Sequence, residues 1–237
     1  MNMIQIEHVN FTYQHSEKGA LKDVSLQIGQ GECVLLCGSS GCGKTTISTL
    51  VMQELQQQGL SVLYTREPGG IGISEQIRDI ILDPANHEMD ARTEALLYAA
   101  SRRQHLVEKI IPALEQGTHV ICDRFIDSSL AYQGMGREIG MQEVYDMNLF
   151  ATQGMLPDLT LFLDISLEEA MERVCKRGGK DRLDLESDAF HQRVREGYER
   201  VKELYPQRIH VVDAHQSIDE VKEACIREIR MLLKQHE

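Results

Sequence analysis

The segment at residues 38–45 constrains the fold of this chain more than any other part of the sequence. It reads GSSGCGKT and fits the pattern G-x-x-x-x-G-K-[ST], whose glycines let successive backbone N–H groups face one anion. The apolar run ECVLLCG precedes it, and a helical pattern that ends at Gly59 follows it. Because the motif requires a strand before it and a helix after it, this context predicts a phosphate-binding loop in a P-loop NTPase fold.

Apolar runs beyond the loop predict a mainly parallel sheet with helices on both faces. With ECVLLCG, the runs SVLYTRE, THVICDR, LTLFLDI and RIHVVDA give five buried strands, and helical patterns lie between them. This alternation indicates an α/β fold whose ligands bind beyond the carboxyl ends of the strands. Residues 1–30 differ, since two strand-like segments flank the polar turn HSEKG without a helix between them. We therefore predict an antiparallel β-hairpin extension at residues 1–30, added at one edge of the sheet, and one nucleotide-binding domain at residues 31–237.

The balance of charges argues against partners that carry many negative charges. Lys and Arg number 25 against 37 Asp and Glu, which gives a formal net charge of −12. A nucleic acid or an anionic membrane requires a broad basic surface, so we expect neither as a partner. The six cysteines show no C-x-x-C spacing, and no segment approaches the roughly 18 apolar residues that a membrane span needs. These features predict a reduced, cytoplasmic protein without a membrane span.

The phosphate-binding loop is expected to hold ATP and Mg²⁺. Lys44 is expected to bridge the β- and γ-phosphates, and Thr45 to ligate Mg²⁺ through its hydroxyl group. The alternative is a glycine-rich turn with an exposed lysine, but such a turn does not require this spacing or this context. The predicted ATP-binding residues are Gly38, Ser39, Ser40, Gly41, Cys42, Gly43, Lys44, Thr45 and Thr46.

The sequence up to residue 46 resembles the start of ABC-transporter ATP-binding domains. The stretch FTYQHSEKGALKDVSLQIGQGECVLLCGSSGCGKTT carries the resemblance, which implies that Tyr13 stacks on adenine. Further along the sequence there is no LSGGQ-like signature and no apolar run that ends in Asp-Glu. Because ABC ATPases need both features to complete their ATP sites, this resemblance lacks the catalytic half of that family.

From about residue 45 to the C-terminus, the chain resembles the bacterial thymidylate kinase family. The motifs that carry this resemblance are TREPGG, EQIR, RTEALLYAASRRQH, DRFIDSSLAYQG, PDLTLFLD and RLDLESDAFHQRVREGY. The resemblance implies a nucleoside-monophosphate kinase domain that transfers phosphate from ATP to dTMP with Mg²⁺, and a homodimer built through helices. A natural or engineered fusion near the phosphate-binding loop would account for both resemblances.

The thymidylate kinase resemblance implies roles for residues at the ends of two predicted strands. Arg124 would hold the phosphate of the acceptor, since a planar guanidinium can bind two oxygens at once, and Asp123 would help to organise Mg²⁺. Glu67 and Pro68 would shape the acceptor pocket, and Glu67 is also a candidate metal or sugar contact. For Asp123 and Arg124, the alternative is a pair that ends a strand and makes only local hydrogen bonds.

Tyr98 and Arg102 lie four residues apart in a predicted helix and therefore share a face. The resemblance implies that the Tyr98 ring stacks on the base, that Arg102 donates to a base oxygen and that Gln133 contacts the base edge. The alternative is a core tyrosine beside an arginine in solvent. The resemblance also implies that the acceptor pocket includes Arg78 for the phosphate, and Ser129 and Tyr132 for the nucleoside.

The segment RVCKRGGKDRLD at residues 173–184 combines cations with a glycine pair between two helical patterns. This composition predicts a mobile lid that closes over phosphates and excludes water. Arg177 and Arg182 are the charges that we expect the lid to deliver. The alternative is a basic turn in solvent.

One position departs from the thymidylate kinase pattern. Ser40 stands where that family usually carries an acidic residue that contacts the 3′-hydroxyl of the monophosphate. Since serine is shorter and neutral, we expect weaker or slower use of dTMP and intact ATP binding. Three other functions stay open at this point: kinase activity on another pyrimidine monophosphate, an ABC-type ATPase module, and a nucleotide-binding chimera with impaired catalysis.

Overall fold

Two separate sheets contain all the strands of the described chain. The computed structural model describes residues 4–11, 21–28, 31–177 and 181–234. β1 (Ile4–Phe11) and β2 (Leu21–Ile28) pair in antiparallel fashion, as predicted, but they form a two-stranded sheet of their own and not an edge of the main sheet. The main sheet consists of five parallel strands: β3 (Cys33–Cys37), β4 (Val62–Arg66), β5 (His119–Asp123), β6 (Leu159–Asp164) and β7 (Ile209–Asp213). Their order across the sheet is β4-β5-β3-β6-β7, which confirms the predicted α/β fold.

Helices connect the strands of the main sheet. They are α1 (Lys44–Gln57), α2 (Gly72–Leu82), α3 (Ala91–His105), α4 (Ile111–Glu115), α5 (Ile126–Ser129), α6 (Met141–Thr152), α7 (Leu167–Arg177), α8 (Asp188–Leu204) and α9 (Ile218–Lys234). The π-helical segments Leu106–Ile110 and Leu130–Gly136 continue α3 and α5. Of the helices in the described ranges, none combines the length and the apolar character that a bilayer crossing requires.

The central strand β3 is buried on both faces because alternate side chains of a strand point to opposite sides of the sheet. Leu35 packs in a cluster that includes Tyr198 of α8, whereas Leu36 packs in a second cluster with Val51 of α1 and Ile226 of α9. Both leucines are 0% exposed. Burial on both faces explains why this strand reads as a continuous apolar run.

The carboxyl ends of β3, β4 and β5 lie side by side at one edge of the fold. The parallel register pairs Asp123 at the end of β5 with Leu36 in β3 and with Arg66 in β4. The segments that follow these strands carry the phosphate-binding loop, Glu67 and Arg124. The fold therefore brings three separate motifs of the sequence together, at the position where ligands of parallel sheets bind.

Two predicted features fall outside the described part of the chain. Tyr13 is one, and residues 178–180 together with the side chain of Arg177 are the other. The adenine stack at Tyr13 and the lid charge at Arg177 therefore stay predictions.

Candidate active site

Two clefts open at the carboxyl ends of the strands and share a wall. The loop cleft lies over the phosphate-binding loop, and its lining includes Thr45 and Asp123. The tyrosine cleft lies beside it, and its lining includes Tyr98 and Tyr132. The residues that line both clefts are Ser40, Glu67, Arg78, Arg124 and Asp181.

The phosphate-binding loop adopts a conformation that favours glycine at three positions. Gly38, Gly41 and Gly43 have φ angles of 137°, 86° and 96°, where L side chains are strained. A Cβ atom at Gly41 would lie 2.3 Å from the carbonyl oxygen of Ala170 in α7. Gly43 is the N-cap residue of α1, so the first N–H groups of that helix face the loop. Loop and helix N-terminus together have the geometry that a phosphate group requires.

Lys44 folds back over the loop that precedes it. Its Nζ donates to the carbonyl oxygens of Ser39 at 2.8 Å and Gly38 at 3.2 Å, and the residue is 6% exposed. Neutral carbonyl groups are weaker partners for an ammonium group than phosphate oxygens are. The cation is therefore already held at the loop, with partners that a phosphate can replace.

Thr45 and Asp123 link α1 to the carboxyl end of β5. The Thr45 hydroxyl donates to Asp123 Oδ2 at 2.7 Å, while Asp123 Oδ1 is buried and has no hydrogen-bond partner among the described residues. Mg²⁺ is a hard cation that prefers oxygen ligands, and it is commonly held by a hydroxyl, a carboxylate and substrate phosphates. The Thr45 hydroxyl and the unpartnered Asp123 oxygen therefore fit a nucleotide-bound Mg²⁺.

Arg124 follows Asp123 in an unusual backbone conformation. Its φ of 70° lies in the left-handed region, and its N–H donates to the carbonyl oxygen of Leu36 at 3.0 Å, which helps to hold that conformation. The guanidinium lies 4.9 Å from the centre of the Tyr132 ring and donates to the hydroxyl groups of Tyr132 at 3.4 Å and Tyr198 at 3.5 Å. Fixed in this way, Arg124 stands at the wall between the clefts.

The tyrosine cleft offers a ring and an amide to a ligand. Burial, together with the nearby Glu94 carboxylate, raises the pKa of Tyr98, so its hydroxyl group stays protonated at neutral pH. Gln133 is 1% exposed, and its Nε2 donates to Glu94 Oε1 at 2.8 Å. An aromatic ring beside a fixed amide suits a planar ligand with polar edges, such as a nucleobase.

Arg78 stands where the two clefts meet. Its Nη1 donates to the carbonyl oxygen of Pro68 at 2.9 Å, and the peptide bond between Glu67 and Pro68 is cis. Burial lowers the pKa of Arg78, and the neighbouring Arg66 lowers it further. Arg78 and Arg124 place two guanidinium groups along the same wall.

Arg102 lies in a buried network, and the alternative of an arginine in solvent is wrong. The residue is 2% exposed, its Nε donates to Glu67 Oε2 at 2.7 Å, and its Nη1 donates to Ser129 Oγ at 3.1 Å and to Asn148 Oδ1. Its guanidinium also stacks over the Phe125 ring at 5.0 Å. Arg102 also lines the tyrosine cleft. Because Nε and Nη1 already have partners, Nη2 is the atom that would donate to a base oxygen, and this contact stays a prediction.

Glu67 supports this network with both of its carboxylate oxygens. Oε2 accepts from Arg102, and Oε1 lies 3.1 Å from Nδ1 of His105, whose Nε2 lies 2.7 Å from Thr65 Oγ1. A metal contact at Glu67 would have to compete with these buried partners. The metal contact at Glu67 therefore stays a prediction, and Thr45 and Asp123 are the candidate metal ligands that we carry forward.

Arg182 lies in the core and not on a mobile lid. It is 5% exposed, its Nε donates to the carbonyl oxygen of Ile81 at 2.8 Å, and its Nη2 pairs with Glu94 Oε2. Glu94 is 0% exposed and also pairs with Arg137 at 2.9 Å. A buried carboxylate is costly without a cation, so the pair between Arg182 and Glu94 has a structural role. The sequence did not reveal this pair. The expectation that it delivers charge to phosphates is corrected: it stabilises Glu94, which in turn holds Gln133.

Ser40 contacts a carboxylate that also lines the tyrosine cleft. Its Oγ donates to Asp184 Oδ1 at 3.0 Å, and Asp184 is 4% exposed. The two residues are 144 positions apart, so no local pattern in the sequence connects them. A carboxylate therefore lies beside Ser40, although the loop itself carries none.

Arg173 is a cation that the sequence analysis overlooked. It is exposed on α7 and lines the loop cleft as well as an adjoining cavity of about 400 Å³. That cavity is also lined by Gly43, Thr46, Ile47, Ala214, Gln216 and Val221. The helical spacing between Arg173 and Arg177 would have identified it, because residues four apart share one face of a helix.

Comparisons with known proteins agree with this geometry. Residues 37–225 match the family model described as Thymidylate kinase. A thymidylate kinase from Clostridium novyi (strain NT) is 54% identical over 198 residues, which cover 83% of this chain and 97% of that protein. A thymidylate kinase from Oceanobacillus iheyensis is 52% identical over 202 residues, which cover 84% of this chain and 90% of that protein.

A solved structure extends the comparison to the arrangement of the chain. The crystal structure of thymidylate kinase from Ehrlichia chaffeensis is similar with a TM-score of 0.69 and 30% identity. The match covers 85% of this chain and 99% of that one. Since the matched residues include the phosphate-binding loop and both clefts, we conclude that the chain belongs to the thymidylate kinase family.

Proposed function

We propose that this protein transfers the γ-phosphoryl group of ATP to dTMP, giving ADP and dTDP. The observation that carries the proposal is the position of Arg124 in the wall between the loop cleft and the tyrosine cleft. Phosphoryl transfer between two nucleotides requires that both phosphates meet in line, with their charge neutralised and water excluded. Relatives of more than 50% identity that are named thymidylate kinase support dTMP as the acceptor.

ATP is the ligand that we propose for the loop cleft. The N–H groups of residues 38–46 and the Lys44 ammonium group would hold the β- and γ-phosphates. The adjoining cavity has apolar walls at Ile47 and Val221, which suit a purine base, and Arg173 lies between that cavity and the loop cleft. Arg173 and Arg177, on one face of α7, are the cations that we expect to close over the phosphates.

The tyrosine cleft would hold dTMP. Tyr98 would stack on the thymine ring, Gln133 would contact its polar edge, and Tyr132 and Ser129 would contact the nucleoside. Arg78 and Arg124 would bind the phosphate that accepts the transferred group, because guanidinium groups bind two phosphate oxygens at once.

Mg²⁺ is the cofactor that we propose for this reaction, held by Thr45 and Asp123. When bound, Mg²⁺ neutralises charge on the β- and γ-phosphates. Asp123 Oδ2 accepts a hydrogen bond from the Thr45 hydroxyl group, which leaves the lone pairs of the threonine oxygen available to a metal ion. Oδ1 of Asp123 remains as the second oxygen that this pair can offer.

The transfer itself needs positioning more than covalent help from the protein. An oxygen of the dTMP phosphate attacks the γ-phosphorus of ATP, and the bond to the β–γ bridging oxygen breaks as ADP leaves. Arg124 would orient the attacking phosphate, and Lys44 would stabilise charge on the leaving side. Closure of α7 over the loop cleft would exclude water, which otherwise competes as acceptor.

An assay of ADP formation across pyrimidine and purine monophosphates tests the proposal. We expect dTMP to be the preferred acceptor, because relatives of more than 50% identity are named thymidylate kinase, and we expect its use to be slowed by Ser40 in the loop. Lys44→Ala is the control and should lower kcat by about 10²-fold or more, since it removes a preorganised charge at the transferring phosphates. Steady ATP hydrolysis without transfer to any monophosphate would contradict the proposal and favour an ATPase.

We also propose that the protein is a homodimer. Helix α3 packs against both α2 and α6, and these three helices carry five exposed apolar side chains, namely Ile73 and Ile80 of α2, Leu96 of α3, and Leu149 and Phe150 of α6. Phe150 is 89% exposed, which is costly for a large aromatic ring in water. A second copy of this chain is the occupant that we propose for this surface. Sedimentation equilibrium at micromolar concentration tests it, and a monomer mass at all concentrations would overturn it.

The N-terminal residues are proposed to be an extension that the kinase reaction does not need. The family match starts at residue 37, and β1 and β2 form a sheet of their own, which supports a division at residues 1–30 and 31–237. Their resemblance to ABC-transporter domains and an origin by fusion are part of this proposal. A chain that starts at Gly31 should keep dTMP kinase activity, and loss of activity in a folded truncated protein would contradict the division.

The cytoplasm is the compartment that we propose for the reaction. It supplies ATP and keeps thiols reduced, in agreement with six cysteines that form no disulfide in the structure. Detection of the protein in a membrane or secreted fraction would oppose this assignment.

A further inference from the structure

The hydroxyl group of Tyr198 lies where α8 meets both the phosphate-binding loop and the wall between the clefts. Tyr198 is 1% exposed, and its hydroxyl group donates to the carbonyl oxygen of Gly38 at 3.1 Å. The same phenol oxygen lies 3.0 Å from Ser128 Oγ of α5 and accepts from Arg124 Nη1 at 3.5 Å. One buried phenol group therefore contacts the first residue of the loop proposed to hold ATP and the arginine proposed to hold the acceptor phosphate.

The packing of α8 fixes the place of this phenol group. A Cβ atom at Gly197 would lie 2.8 Å from Cα of Ala131, so α8 lies close against the π-helical segment Leu130–Gly136. Tyr132, in that segment, packs edge-on against the Tyr198 ring, with ring centres 6.2 Å apart. Because backbone and ring are held by packing, the phenol oxygen is a fixed point between the loop and the wall.

The Gly38 carbonyl oxygen has a second donor that nucleotide binding would remove. Lys44 Nζ donates to it at 3.2 Å, and this is one of the contacts that a phosphate group can replace. Tyr198 continues to donate to Gly38 after the lysine has turned to the phosphates. The start of the loop therefore stays attached to α8 when the loop cleft is occupied.

We propose that Tyr198 is a positioning residue for phosphoryl transfer: its hydroxyl group, bonded to Gly38 and Arg124, holds the loop of the ATP site and the arginine of the acceptor site at a fixed separation. Tyr198 is not among the residues that line either cleft, so it acts through these two residues and not by contact with a nucleotide. In-line transfer requires reacting atoms roughly 3–3.5 Å apart, and a small misplacement slows it strongly. The inference rests on the proposed kinase reaction and adds a residue to it.

The opposing interpretation is that Tyr198 only fills space in the core. Its ring does lie 5.2 Å from the Phe162 ring, measured between centres, and it belongs to a cluster of buried apolar residues. Phenylalanine keeps the ring and removes only the hydroxyl group. If packing is the only role, the folded Tyr198→Phe protein should turn over at the original rate, whatever its melting temperature.

Steady-state kinetics of ADP formation, with ATP and dTMP each varied, tests the inference. For Tyr198→Phe, we expect kcat to fall by about 10-fold, because one hydrogen bond that aligns a charged group is lost. We expect both KM values to stay within about twofold, since each nucleotide keeps its direct contacts. Calorimetric titration with dTMP alone and with a non-hydrolysable ATP analogue alone should likewise give Kd values within about twofold of the unaltered protein.

Two further variants complete the experiment. Tyr145→Phe is the matched control, because Tyr145 lies on α6 and lines neither cleft, and its kcat should stay within about twofold of the unaltered protein. In an Arg124→Ala background, adding Tyr198→Phe should lower kcat by less than about threefold, because the arginine that the hydroxyl group positions is already absent.

Three results would overturn the inference: an unchanged kcat in folded Tyr198→Phe, weaker nucleotide binding that accounts for the whole loss, or a full 10-fold further loss in the Arg124→Ala background. If the unaltered protein transferred phosphate to no monophosphate, the proposed function would fall, and the inference would fall with it. Normal transfer by both the unaltered protein and Tyr198→Phe would remove the inference alone and leave the proposed function in place.

Discussion

Replacing Arg124 by alanine is expected to lower kcat/KM for dTMP by about 10³-fold, with most of the loss in kcat. The guanidinium lines both clefts, so it is placed to contact the acceptor phosphate while the γ-phosphoryl group is in transit. A charge that is preorganised at this place costs no reorganisation when negative charge develops during transfer. Kinetics of ADP formation with dTMP varied at saturating ATP measures the effect.

Arg124→Lys separates the charge of the side chain from its shape. Lysine keeps a positive charge, but it cannot form two parallel bonds to phosphate or lie flat over the Tyr132 ring, so we expect at most about a tenth of the original kcat/KM. Both replacements keep a Cβ atom at the φ of 70°, so backbone strain changes little between the variants.

Arg200→Ala is the control for a general effect of losing a surface charge. Arg200 is exposed on α8 and pairs with Glu203 at 2.8 Å, an arrangement that contributes little in water. Its kinetics should stay within about twofold of the unaltered protein. If Arg124→Ala kept kcat/KM for dTMP within about tenfold of that of Arg200→Ala, Arg124 would not serve the acceptor phosphate.

The sequence predicted those parts of the site that depend on neighbours along the chain. Lys44, Thr45 and the loop glycines follow from one local motif, because strand, turn and helix N-terminus are consecutive. Asp123 and Arg124 follow from their place at the end of a buried strand, since parallel strands end at one edge of the sheet. These local rules fixed the position of the loop cleft and one wall of the second cleft.

Partners from distant parts of the chain could not be predicted in this way. Arg182 looked like part of a lid because of its glycine-rich neighbours, yet it pairs with Glu94, 88 positions away. Ser40 and Asp184, and Glu67 and Arg102, meet only once the strands and helices are assembled. Such contacts depend on tertiary packing, which neither periodicity nor residue type specifies.

Replacing Arg102 by methionine is expected to destabilise the protein by about 3–5 kcal/mol, whatever it does to nucleotide binding. Methionine fills a similar volume but donates no hydrogen bond, so Glu67, Ser129 and Asn148 each lose a buried partner. For a domain of this size, the loss corresponds to a fall in melting temperature of roughly 6 to 20 °C, measured by thermal unfolding without ligand.

Arg103→Met provides a matched control in the same turn of α3. Arg103 makes one long contact, from Nη1 to the carbonyl oxygen of Ala151 at 3.5 Å, so its loss should cost less than about 1 kcal/mol.

A second substitution, Glu67→Gln in the Arg102→Met protein, removes the carboxylate that is left without its arginine. It should recover part of the lost stability, because the large cost of breaking a buried pair comes from the uncompensated charge that remains. His105 Nδ1 lies 3.1 Å from the Glu67 carboxylate and remains as a partner when Arg102 is replaced, so we expect the recovery to be partial. Equal stability of Arg102→Met and Arg103→Met would mean that Arg102 is retained for the base alone, and that the buried network does not hold the acceptor cleft together.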